Sequence, residues 1–368
     1  MNRSIPFFDY PSIYSSHREN LIKVFDEISS KGAFILQDEL KLFEERLASY
    51  VGSKYAIGVG NATDALELLL KAYGIEEGSE IIFSSHTMVA TASAIKFSGA
   101  VPIPAESGFD HLIDVNKIEE LITDKTVAIM PTQLNGRVAD MDAIDALAKK
   151  YNLAIFEDSA QALGAKFRNT SAGCFGVGGC ISFYPAKILG CLGDGGAVIC
   201  NDEEIYKKIL LLRDHGRDSS GEVTVWGFNS RLDNIQAGFL NYYMDFYEET
   251  VSRRREIASL YNERLSSLNQ LILPPPPNDH HHFDVFQNYE IQAEDRDSLK
   301  NYLIEKGIGT LVQWGGKPVH QFTKLGFNQD LPATDLIFTK LLMLPINLSI
   351  SNEDIEYVCE AVTSFYDR

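Results

Sequence analysis

The chain has 368 residues, 45% hydrophobic and 23% charged, the balance of a globular protein with a sizeable buried core. Its 33 basic and 51 acidic residues give a formal net charge of −18, so nucleic acid and anionic membrane surfaces are excluded as main partners by repulsion. Five cysteines without C-x-x-C spacing argue against a zinc ribbon or a disulfide framework, and the opening "MNRSIPFFDYPSIYSS" has no long apolar core, so a cytoplasmic protein is expected.

From about residue 50 to 200 short apolar runs alternate with helical patterns. "KYAIGVG" reads as a strand and "TDALELLLKAYG" as a helix stopped by glycine. "SEIIFSS", "AVPIPAE", "TVAIMPTQ" and "LAIFEDSA" read as further strands, separated by helices over "ATASAIKFSG", "DVNKIEELI" and "MDAIDALAKKY". Such alternation implies βαβ crossovers and a mostly parallel sheet covered on both faces, with ligands gathering beyond the carboxyl ends of the strands. "SRLDNIQAGFLNYYMDFYEETVSRRREIASLYNERLSSL" reads as one or two long helices, ended by "PPPPNDHHH", where four prolines cannot continue a helix. Strand-like "FQNYEIQ", the helix "RDSLKNYLIEKG" and a closing helix "NEDIEYVCEAVTSFY" follow. The expected division is a large α/β domain over 1–245 and a smaller α+β domain over 246–368.

Three stretches carry chemistry. "GVGNATDAL" turns from strand to helix, and the free N–H groups of a helix start make an anion site there. It lacks the third glycine of a dinucleotide fingerprint and the Gly-Lys-Ser/Thr ending of a P-loop. Read alone, Asn61 or Thr63 serves equally well as a plain cap. "LAIFEDSA" ends a strand on Glu157 and Asp158, which face opposite ways, so one of them can enter the crevice. In "SFYPAKILGCLGDGGAV", Lys187 lies among apolar residues, where its charged form is disfavoured and its amine becomes nucleophilic; a lysine snorkelling from a loop fits this segment equally well. Gly190, Gly193, Gly195 and Gly196 are expected to give a bound ligand room against the backbone. Together, a phosphate turn, a carboxylate and a lysine are what pyridoxal 5′-phosphate requires. The histidine run 280–282 has no ligand partner at metal spacing and reads as a solvated loop, so no metal is expected.

Nearly end to end, the sequence resembles the DegT/DnrJ/EryC1/StrS family of sugar aminotransferases, within the fold type I pyridoxal-phosphate enzymes. The resemblance rests on motifs in family order: "FILQDELKLFEERLASYVGSKYAIGVGNATDAL", "HTMVATASAIKFSGAVPI", "TVAIMPTQLNGRVADMDAI", "IFEDSAQALGAKF", "SFYPAKILGCLGDGGAVICND", "LRDHGR" and "GFNSRLDNIQAG". It implies a large domain with a mostly parallel, seven-stranded-type sheet sandwiched by helices, and a smaller C-terminal α+β domain. It implies that Lys187 carries the cofactor and then moves protons, and that Asp158 keeps the pyridine nitrogen protonated. Gln161 matches the glutamine near the cofactor's 3′-oxygen, and Ala62, Thr63 and Ser182 the phosphate positions. Asn229 matches an asparagine reaching the phosphate from the neighbouring subunit, which implies a homodimer with shared sites. Met88 stands where many members stack an aromatic ring on the cofactor, opposite Ala160. Arg231 matches donor or interface contacts.

In "GTLVQWGGKPVHQF", Gln313 and Trp314 replace a His-Tyr pair of many relatives, while His320 keeps the last histidine. These three, with His86, Tyr184 and Arg231, are the expected substrate contacts. The implied reaction moves an amino group from L-glutamate to C3 or C4 of a nucleotide-linked deoxy-sugar by a ping-pong route, with pyridoxamine 5′-phosphate as the alternate cofactor form. Products of such enzymes enter lipopolysaccharide, including O-antigen, other surface glycans and glycosylated natural products. A sugar dehydratase of the same fold would carry histidine in place of Lys187, and a sugar- or nucleotide-binding regulator would not need the full set of Asp158, Gln161, Ser182 and Lys187.

Overall fold

In the computed structural model, which describes residues 3–277 and 280–367, seven strands build the main sheet. They are β1 (Tyr55–Val59), β2 (Glu80–Ser84), β3 (Val101–Ala105), β4 (Thr126–Met130) and β5 (Ala154–Asp158). After the short β6 (Lys166–Phe167) and β7 (Thr170–Ser171) come β8 (Gly178–Ser182) and β9 (Gly196–Cys200). The order across the sheet is β1-β9-β8-β5-β4-β2-β3. Neighbours from β8 to β3 pair parallel, and β9 runs antiparallel to both of its neighbours. Every residue of β9 is buried, as expected for a strand covered on both faces.

The helices between strands start and stop where local chemistry directs. Helix Ala62–Tyr73 begins at Asn61, whose side chain caps Asp64 N–H, and ends at Gly74 with φ +95°. Helix Met141–Tyr151 is capped by Asp140 and closed by left-handed Asn152. The segment "DVNKIEELI" departs from expectation. It forms two 3₁₀ turns, Val115–Lys117 and Glu119–Leu121, instead of an α-helix. Ile118, between the two turns, is fully buried in the core, and Val115, Leu121 and Ile122 pack half-buried against the same cluster. The long stretch after residue 230 is two helices, Asn234–Met244 and Tyr247–Leu265.

Beyond them lie β10 (Leu271–Ile272), β11 (His282–Phe283), β12 (Tyr289–Ala293) and β13 (Leu341–Leu344). A second sheet runs β10-β12-β13, all antiparallel, while β11 joins β6 and β7 in a small ribbon. Pro274 to Pro277 carry no helix; residues 278 and 279 of that break lie outside the described residues. A separate core of Ile257, Tyr261, Ile291, Leu303, Leu344 and Val358 backs the second sheet. Ile5 sits in that same core and bridges to Ile308, so the chain's start packs with the second sheet. Among the described residues no helix is long and apolar enough to cross a membrane.

Candidate active site

Five carboxyl ends of the main sheet converge on one crevice. β1 leads into the turn Gly60–Asn61–Ala62, β2 into His86 to Met88, β4 into Thr132 to Asn135, β5 ends on Asp158, and β8 ends on Ser182. The Asn61 side chain takes the N–H of Asp64 at 2.9 Å and its carbonyl takes that of Ala65 at 3.1 Å. The N–H groups of Ala62 and Thr63 are those a helix leaves without an intrahelical acceptor, at its positive end. Ser182 pairs with Gly196, which in turn pairs with Val59, and this register brings the serine beside the turn. A Cβ at Gly196 would lie 2.4 Å from the Asn61 carbonyl carbon and 2.6 Å from Ala62 N. The strand therefore presses directly on the helix start.

Gly190 and Gly195 are tight within the loop itself, and a Cβ at Gly193 would meet Gln236 Nε2 at 3.1 Å. A Cβ at Gly190 would meet Pro185 O at 2.9 Å, and one at Gly195 would meet Cys191 Sγ at 2.6 Å. The loop closes on itself through Phe183 N–H to Gly195 O at 2.8 Å and Cys191 N–H to Phe183 O at 2.7 Å. Only at Gly196 does the close approach concern the anion turn.

Asp158, 4% exposed, accepts Thr91 Oγ1–H at 2.5 Å and Ala160 N–H at 3.2 Å, with Cys180 Sγ at 3.6 Å. Thr132 and Thr87 extend a chain of hydroxyls to Thr91, with steps of 3.0 and 2.8 Å. Glu157 points to the opposite face, where Gln133 donates at 2.6 Å and Phe175 N–H at 2.7 Å. Burial pushes the Glu157 carboxyl up to about 7 against those donors. The two carboxylates thus part company as strand alternation requires.

Burial pushes the Lys187 amine down from 10.5 to about 8, and Asp158, then Cys180, pull it partly back. The residue as a whole is half-buried and lines a cavity of about 390 Å³. Gln287, from the loop before β12, grips the backbone on both sides of Lys187. Its Nε2 donates to Ala186 O at 2.8 Å and its Oε1 accepts Ile188 N–H at 3.0 Å. Such an amine is free base in an appreciable fraction near neutral pH and can bond covalently to a carbonyl carbon.

Gln161 Oε1 accepts Asn135 N–H at 2.8 Å and faces Asn288 Nδ2 at 3.4 Å. A backbone N–H is a donor only, so the Gln161 oxygen is fixed inward and its amide nitrogen is left to donate. Ala160 is half-buried directly after β5, and Met88, 47% exposed, stands before helix Val89–Phe97. Ser230 Oγ ties the anion turn together, accepting Gly60 N–H at 3.0 Å and donating to Asp64 at 2.6 Å.

The expected substrate positions divide into two groups. Tyr184 is 53% exposed, and Arg231 pairs with Asp214 at 2.7 Å. Asn229 lies exposed on the segment it closes with Asp214. Trp314 is half-buried against Ile337, Phe338 and Leu341. His86, Gln313 and His320 are enclosed. His320 Nδ1 bonds Ser85 Oγ at 2.8 Å and its Nε2 faces Asp335 at 3.0 Å. Thr91, Asn135, Gln287, Asn288 and Ser230 escaped the sequence reading. The spacing of Thr87 and Thr91, four apart at a helix start, was the one signal available for any of them.

Pyridoxal 5′-phosphate fits this donor set: free N–H groups and a hydroxyl for its phosphate, a buried carboxylate for its ring nitrogen, an amide N–H for its ring oxygen, and a depressed amine for its carbonyl. The comparisons agree. Residues 15–363 match the family model described as the DegT/DnrJ/EryC1/StrS aminotransferase family. A pleiotropic regulatory protein of Geobacillus stearothermophilus is 36% identical over 99% of both chains. The dTDP-3-amino-3,6-dideoxy-alpha-D-galactopyranose transaminase of Aneurinibacillus thermoaerophilus is 38% identical over 98% of this chain and 99% of the relative. The crystal structure of S. venezuelae DesV in complex with a ketimine intermediate superposes with a TM-score of 0.95 at 34% identity, over 99% of each chain.

Proposed function

We propose that this chain, which belongs to the DegT/DnrJ/EryC1/StrS aminotransferase family and depends on pyridoxal 5′-phosphate, aminates a nucleotide-linked keto-deoxy-sugar at C3 or C4, with L-glutamate as donor. The observation that carries the reading is the buried Lys187 amine beside Asp158, on the sheet edge where β1 also leads into a helix start with free N–H groups. When bound, the cofactor supplies a carbonyl that accepts the amino group and a ring that withdraws electrons.

The chain's own residues do the rest. Ala62 and Thr63 N–H and the Ser182 hydroxyl bind the phosphate, with Asn229 of a second subunit completing the cradle. Asp158, held by Thr91 and Ala160 N–H, keeps a proton on the ring nitrogen. Gln161 donates to the ring oxygen, and Met88 and Ala160 flank the ring. Lys187 Nζ takes the proton from the donor's Cα and, in the return half of the cycle, gives one to the sugar carbon that receives nitrogen. A second copy covers the exposed segment around Trp226, which is 98% exposed beside Val225 and Phe228. The working form is a cytoplasmic homodimer, its product destined for a surface glycan. Tyr184, Arg231 and Trp314 border the sugar, and His86, Gln313 and His320 support that wall from behind.

A first substrate to test is a dTDP-linked 3-keto-6-deoxy-sugar, the keto counterpart of the amino sugar in the A. thermoaerophilus relative's name. The assay supplies glutamate with isotopically labelled nitrogen and a panel of dTDP-, UDP- and GDP-linked 3- and 4-keto sugars. Labelled nitrogen in one sugar is the expected result. If no sugar acquires it while glutamate is also left unconverted, the reading is wrong.

A further inference from the structure

Behind the crevice a chain of amides joins Gln161 to a buried carboxylate on the second sheet. Asn135, in the turn after β4, stands at its centre with a left-handed backbone, φ +58° and ψ 11°. Its N–H donates to Gln161 Oε1 at 2.8 Å. Its side chain meets Glu290 on β12, which is 1% exposed, together with Asn288 and Gln313. Asparagine enters the left-handed region more readily than most residues, and here three partners hold it there.

The direction of every bond follows from the one group that cannot turn. A backbone N–H only donates, so Gln161 presents its oxygen to Asn135. Asn288 then presents Nδ2 to that same oxygen at 3.4 Å, and this nitrogen also donates to Asn135 Oδ1 at 2.9 Å. Gln313 Nε2 donates to Asn135 Oδ1 at 2.6 Å. With its oxygen taken twice, Asn135 turns Nδ2 to Glu290 Oε2 at 2.8 Å. Burial pushes the Glu290 carboxyl up, yet the His86 and His111 rings and Asn135 outweigh it and hold the group below the usual range, as an acceptor. At the other end of the chain, three residues past Asp158, Gln161 Nε2 donates to none of the described residues.

We propose that Asn135, clamped by Glu290, is a positioning residue that holds the Gln161 carboxamide with its N–H toward the cofactor's ring oxygen. The proposal rests on the cofactor assignment above. Were the Gln161 amide free to flip, its own oxygen would face the ring oxygen, two acceptors with no proton between them. A donor held there draws charge from the ring oxygen, which then retains the proton of the Lys187–cofactor linkage less tightly. Asn135 and Glu290 thus set the proton affinity of a linkage that neither of them touches.

The test titrates the visible band of the cofactor-loaded protein, whose midpoint reports loss of that linkage proton. Asp158 and Cys180, the charged and titratable neighbours of Lys187, are the same in every variant. Gln161→Ala should raise the midpoint by about one pH unit, the worth of a hydrogen bond to an ionised group. Asn135→Ala should move it in the same direction, and the double variant no further than Gln161→Ala alone, because Asn135 acts through Gln161. Asn135→Gly keeps the left-handed backbone without strain but loses the clamp, and carries the same test if the alanine variant does not fold. Glu290→Leu should also raise the midpoint, whereas loss of a negative charge alone would lower it. The proposal is overturned if Gln161→Ala or both Asn135 variants leave the midpoint unchanged, if the effects of Asn135→Ala and Gln161→Ala add, or if Glu290→Leu fails to raise it. A wild-type protein that forms no band at all would overturn the cofactor assignment, and the proposal with it.

Discussion

Lys187 differs from a surface lysine in one measurable way. Its amine is pushed down to about 8 because burial penalises the ammonium, and Asp158 opposes the fall. Below that value the amine is mostly charged and inert; above it the free base predominates. In the cofactor-free protein, acylation of Lys187, read by peptide mass, should therefore rise with pH to a plateau above about 8, whereas an exposed lysine keeps gaining past 10. Asp158→Asn removes the charge that lifts the amine, so the midpoint should move lower still. A midpoint near that of ordinary lysines would refute the desolvated setting. Gln287 acts on the same residue through the backbone. Gln287→Ala leaves Ala186 O and Ile188 N–H without their partner, at about 1–3 kcal/mol for each buried group. Turnover should drop about 10- to 100-fold through misplacement of the amine, with KM for the donor changing much less. A loss confined to KM would remove Gln287 from this role.

At the scale of elements, the tight contact is between β9 and the helix start at Ala62. Gly196→Ala would place a Cβ against backbone atoms of Asn61 and Ala62, which cannot turn aside as a flexible side chain could. The expected cost is about 1–3 kcal/mol of stability. Inorganic phosphate and the cofactor should both bind more weakly as the turn is displaced, and unchanged phosphate affinity would argue against the cradle. Sequence patterns exposed much of this architecture. Strands with apolar runs, from "KYAIGVG" to "LAIFEDSA", and helices with clear caps stood out because their periods are local. β8 and β9 did not, since "GVGGCIS" and "GDGGAV" begin in glycines that weaken any strand signal. "DVNKIEELI" reads as a helix and forms two 3₁₀ turns, although Val115, Ile118 and Leu121 all pack on the core. Lys187, Asp158 and the "GNAT" turn were legible because each motif is contiguous. Gln287, Asn135 and Asn288 were not, because their partners lie far away in the chain and only the fold brings them together.

Over the whole molecule, the segment from Asp214 to Asn229 projects Trp226, Val223 and Val225 into solvent, an apolar surface unusual for a lone chain. A shared site predicts complementation. When Lys187→Ala and Asn229→Ala subunits are mixed and allowed to exchange, each heterodimer regains one site with both residues intact, and activity should rise above either parent. No recovery despite proven exchange would deny Asn229 its role across subunits.

The central claim is that Lys187, among 33 lysines and arginines, is the residue that bonds the cofactor. It is tested most directly by loading the protein with pyridoxal 5′-phosphate, reducing with borohydride, and mapping the added mass on peptides. The account predicts the mass on the peptide containing Lys187, and its loss in Lys187→Ala. Mass on a different lysine of the wild-type chain, or none at all, would contradict it.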